Sequence, residues 1–144
     1  MEKMPPIEKI YEAYTAIADQ RIEMTENEAR VFSSDLKKRY TVSWDKDVYR
    51  SDDNATYWQG YPGYPVIAVL MLQGRLSYDP QSAELFAGVN WNSLNKKHKR
   101  DYVAAAREVM EERNMDIEAV EAEAHFIYEQ LKDLSIELKR GKAA

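Results

Sequence analysis

The chain has 144 residues, of which 44% are hydrophobic and 31% charged, with a net charge of −5 and no cysteine. That length makes one domain with a sizeable core, and the missing thiols exclude disulfides, thiolate nucleophiles, zinc–thiolate sites and iron–sulfur clusters. The acidic balance opposes broad contact with nucleic acid or an anionic membrane.

The opening residues carry no apolar leader run. The longest apolar run, 66–72, is too short to span a bilayer. A cytoplasmic protein with no membrane partner is therefore expected. It should form one domain over residues 1–144, frayed at 1–6 and 141–144.

Pro5 and Pro6 suit a helix's first turn, and Ile7, Ile10, Tyr14 and Ile17 share one helical face. A helix ending near Asp19 follows. Residues 21–58 then read as an antiparallel meander of short strands at 21–25, 29–33, 39–44, 48–51 and 55–58, joined by polar turns. The clearest strand points Tyr40, Val42 and Trp44 to one side. A competing reading extends the first helix to about Lys38.

Two glycines and two prolines in 59–65 form a hinge. Residues 66–73 are apolar on nearly every side, which predicts a central core helix between Pro65 and Gly74. A buried strand is the alternative, since Val66, Ile67 and Val69 are β-branched. Asp79 and Pro80 open a short helix, 81–87, stopped by Gly88. Asn92 or Ser93 caps a helix running to about Arg113, with Tyr102, Val103, Ala106, Val109 and Met110 on its apolar face.

Asp116 starts the last helix. Ile117, Val120, Ala124, Ile127, Leu131, Leu134 and Leu138 alternate by three and four, a sustained heptad seam. The fold class expected is α+β: an N-terminal helix, a small antiparallel β-meander, then about four helices packed on one face of the sheet. The first and last helices pair.

Several groups of residues invite a functional reading. Trp44, Tyr57, Trp58, Tyr61 and Tyr64 could line a ligand pocket; the plainer alternative is a core of strand aromatics. Lys96, Lys97, Lys99 and Arg100 could neutralise phosphates. The plainer alternative is a solvated helix face, although basic charge in a helix's first turns opposes the macrodipole.

Asp45, Asp47, Asp52, Asp53 and Asn54 supply oxygens, but the calcium-loop pattern fails because Arg50 stands where glycine is needed. Turn formation explains them better. His98 and His125 form no ligand pair. No GxSxG, phosphate-loop or GxGxxG pattern occurs, so no catalytic residue, metal or cofactor is assigned.

The function expected first is a non-enzymatic interaction module. It would be a homodimer joined through Ile127, Leu131, Leu134 and Leu138, because seven seam residues outrun the four on the first helix. A small-molecule-binding protein, or an unusual enzyme, using the aromatic cluster is the alternative. A weak RNA binder acting through 96–100 is the second alternative.

Overall fold

The computed structural model describes residues 3–141. Helix α1, Lys9–Ala18, turns Ile10, Ala13 and Tyr14 wholly inward. Four strands follow: β1, Ile22–Met24; β2, Glu28–Phe32; β3, Arg39–Asp45; and β4, Val48–Ser51. Each is antiparallel to the one before. Alternation puts Ala29, Val31, Val42 and Tyr49 in the core, while Glu23, Arg30 and Arg50 stay in water.

Helix α2, Tyr64–Leu72, begins with Pro65 in its first turn and buries everything from Pro65 to Met71. It packs against α1 on one side and β3 and β4 on the other. Helix α3, Pro80–Glu84, is capped by the Asp79 side chain. Then come α4, Trp91–Lys97; α5, Tyr102–Glu112; and α6, Ile117–Asp133. Asn90, Asp101 and Asp116 each accept a backbone N–H two or three residues into their helix. The fold is α+β, as the pattern of elements predicts.

Three elements differ from expectation. Residues 55–58 are no strand: Ala55–Gln59 is a single π-helical turn, ended by left-handed Gly60. Asp53 nucleates it, its carboxylate accepting from the Thr56 N–H and hydroxyl.

The helix expected from 92 to 113 is two helices. Lys99 and Arg100 both take left-handed backbone, with φ of 53° and 67°. The Lys99 N–H donates to the Lys96 carbonyl and the Arg100 N–H to that of Asn95, which closes α4. Lys96 and Lys97 thus lie in a last helical turn, where the macrodipole favours cations.

The terminal seam also stops early. Leu134 is extended, and Glu137–Arg140 forms β5, parallel to β4 at the sheet's edge. A parallel pairing needs a long crossover, and everything from the π-turn through α6 supplies it.

The fraying expected at 1–6 and 141–144 falls partly outside the described residues, at 1–2 and 142–144. Within them, Pro5 is buried and its carbonyl accepts from the Tyr128 hydroxyl, while the Gly141 N–H donates to Ser51. Among the described residues no helix is long and apolar enough to cross a membrane.

Candidate functional site

A cavity of about 920 Å³ opens where the β2–β3 hairpin, the π-turn, the N-terminus of α2 and helix α4 meet α1. Sites for small organic ligands occupy roughly 300–1,000 Å³.

Its inner wall is built from buried polar side chains. Glu12, nearly buried, pairs with the Lys9 ammonium at 3.0 Å. Lys9 also sits 4.6 Å above the Tyr102 ring. Burial alone would lower the Lys9 pKa, but the Glu12 carboxylate outweighs it and the net shift is upward.

Arg21, 7% exposed, follows α1 directly. Its Nη1 donates to the Phe32 carbonyl, tying the helix to β2. Its Nε has no hydrogen-bond partner among the described residues and lies 4.0 Å from the Asp19 carboxylate. The guanidinium faces the Tyr64 ring at 5.9 Å, and Tyr40 meets Tyr64 edge-on. Burial raises both phenols above their ordinary values.

Asp53 is buried beneath the π-turn, where the Ser51 and Thr56 hydroxyls and the Thr56 N–H donate to it. Burial pushes its carboxyl up, against the pull of those hydrogen bonds. On another wall, Asp35 accepts from the Ser33 hydroxyl, the Lys37 N–H and Asn92. The Lys37 amide and the Ser33 hydroxyl hold it below the usual range. This contact joins the β2–β3 hairpin to α4.

The rim is cationic. Lys38, Lys96, Lys99 and Arg100 line the cavity, and all four are exposed. Among the described residues none has a carboxylate within 4.0 Å. Lys97 differs: its ammonium meets Glu108 of α5 at 2.6 Å, next to His98. Helical geometry explains this, because adjacent residues point about 100° apart.

Trp58, Tyr61 and Tyr64 line the same cavity. Trp44 does not; it packs near Tyr49 on the sheet. Tyr57 lies in a smaller neighbouring cleft of about 310 Å³, with the Arg140 guanidinium 4.9 Å over its ring. Aromatic and basic groups that the sequence separates by about forty positions therefore share one site.

The seam residues lie elsewhere. Ile127 and Leu131 are wholly buried within the chain, whereas Leu134 and Leu138 are half-buried beyond the end of α6. The acidic turns are dispersed: Asp47 pairs with Arg75, Asp52 accepts from the Thr41 N–H, and Asp53 supports the π-turn.

Sequence reasoning passed over Lys9, Glu12 and Arg21. Arg21 carried a signal, because it continues the apolar phase of the first helix where a charge is out of place. Lys9 and Glu12 read only as an ordinary i, i+3 pair.

Fold and site together define an α+β protein with a cationic, aromatic-walled cavity at one end of its sheet. The chain belongs to the family described as Uncharacterised conserved protein UCP014422, whose model matches residues 2–137. No curated protein and no solved structure matches it significantly.

Proposed function

We propose that this is a small-molecule-binding protein whose ligand is anionic and occupies the 920 Å³ cavity. The observation that carries the proposal is the convergence of Lys38, Lys96, Lys99 and Arg100, none paired with a described carboxylate, on a cavity that also presents ring faces. Four like charges repel one another, and a bound anion removes that cost. A cytoplasmic location belongs to the same proposal, because the chain has no disulfide that would call for an oxidising compartment.

Self-association is the less favoured reading. Ile127 and Leu131 spend their apolar surface inside one chain, so a partner copy would need other residues. RNA binding through 96–100 shares the cations but must overcome the acidic net charge.

Calorimetric titration with inorganic pyrophosphate tests the proposal. The parent protein should bind, more weakly as salt rises. Replacing Lys96, Lys99 and Arg100 together by Gln should weaken binding by roughly tenfold or more, as removing charge-assisted hydrogen bonds does. An unchanged affinity in that variant refutes the site.

A further inference from the structure

We infer that the cavity's ligand is a mononucleotide, its base stacked on Trp58 and its phosphate held by Lys96, Lys99 and Arg100. The inference rests on the anion-binding proposal above and adds the ligand's class.

The indole of Trp58 carries the first half. Two of the three tryptophans have structural roles: Trp91 is buried and donates to the Thr15 hydroxyl at 2.8 Å, and Trp44 packs near Tyr49. Trp58 is 69% exposed on the cavity's edge, although its ring is the largest apolar surface a side chain offers. It is nonetheless held. Tyr57 meets it edge-on with centroids 4.8 Å apart, and Arg140 covers the Tyr57 ring in turn. The π-turn carrying both is pinned by Asp53. A supported, solvent-facing indole is a ready stacking platform for a flat heterocycle.

The second half is the phosphate end. Lys99 and Arg100 do not belong to a mobile loop. Their backbone N–H groups close the end of α4, and both residues sit in left-handed conformations. Cations on a fixed backbone lose less freedom when they grip an anion. Gln59 and Asn95 line the same cavity and offer amide donors and acceptors to a base edge.

Other anions explain less. A sugar phosphate makes no use of Trp58. A nucleic-acid strand continues past the cavity, and residues 102–137 carry ten carboxylates against three basic side chains. That acidic segment repels a long polyanion and leaves room for a short one.

The test titrates the full-length protein with AMP, GMP, CMP, UMP, ribose 5-phosphate, pyrophosphate and a ten-residue oligouridylate. At least one mononucleotide should bind about tenfold or more tighter than ribose 5-phosphate, the usual gain from one stacked base. Trp58→Ala should erase that gain and leave ribose 5-phosphate affinity unchanged. Its thermal melt should match the parent's, since the side chain is exposed. If every mononucleotide binds no tighter than ribose 5-phosphate while pyrophosphate still binds, the nucleotide assignment fails and the anion site stands. If Trp58→Ala weakens both ligands equally, the stacking role fails. An oligouridylate that outbinds every mononucleotide by more than tenfold overturns the assignment in favour of a strand. Binding of no anion at all sinks both readings.

Discussion

Gly63 shows how closely the site's scaffold is packed. Its backbone is ordinary extended chain, but a Cβ there would lie 2.1 Å from the Asp53 carboxylate and 3.1 Å from the Ala55 side chain. Only hydrogen fits, because the entry to α2 presses on the residue that organises the π-turn. Gly63→Ala should therefore destabilise by about 1–3 kcal/mol, the usual cost of overpacking, read from a denaturant melt. It should also disturb Trp58, seen as a change in indole fluorescence.

Tyr64, next in the chain, makes a prediction in pH. Burial raises its phenol above the ordinary 10.0, against the Arg21 guanidinium pulling it down. The folded state thus holds a proton that the unfolded chain releases. Its contribution to stability is complete below pH 10 and is lost as pH rises above that value. Buried Tyr11 and Tyr14 act in the same direction. Melts across about pH 9 to 12 should show stability falling less steeply in Tyr64→Phe than in the parent.

Among the elements, α2 and α6 hold the molecule together. Leu70 is wholly buried on a helix that meets both α1 and the sheet. Leu70→Ala should cost about 2–5 kcal/mol in a denaturant melt. Leu131 is equally buried, and Glu in its place would put an unpaired charge into the core. Leu131→Glu should abolish the cooperative melt at every protein concentration; a folded, monomeric variant would instead restore the seam as an interface.

Four of the five strands and the central helix were legible in the sequence, because period-two alternation and an all-round apolar run with Pro65 and Gly74 at its ends have few alternatives. The misread elements had double meanings. Leu131, Leu134 and Leu138 fit a heptad, yet Ile136 and Leu138 also alternate as a strand does, and a long-range parallel partner leaves no local mark. The break after α4 was visible in two stop-and-start signals, basic residues at 96–97 and an N-cap Asp101, but no glycine marks it. Asp53, three positions before Thr56, was a cap that passed for one more turn residue.

At the scale of the whole molecule, charge is segregated. Residues 102–137 carry ten carboxylates against three Lys and Arg side chains, while the cavity rim carries Lys38, Lys96, Lys99 and Arg100. Sequence alone treated the rings of Trp58, Tyr61 and Tyr64 and the basic block as rival sites, since only the fold brings α4 beside the π-turn. Trp58, Tyr61 and Tyr64 belonged to one constellation, Lys96, Lys99 and Arg100 to another, and the cavity joins them. Trp44, Tyr57 and Lys97 share their neighbours' chemistry but not their direction. Replacing Lys96, Lys99 and Arg100 by Gln should change stability by no more than about 0.5 kcal/mol each, since they are exposed and paired with no described carboxylate.

The anion site proposed at one end of this fold is open to a direct test. Backbone amide NMR during titration with inorganic pyrophosphate tests it most directly, because it reports where a ligand sits as well as whether it binds. Saturable shifts should concentrate at residues 38, 58–61 and 95–101, with α6 unmoved. Shifts that never saturate, or that scatter over the surface without favouring those segments, would contradict the proposed site.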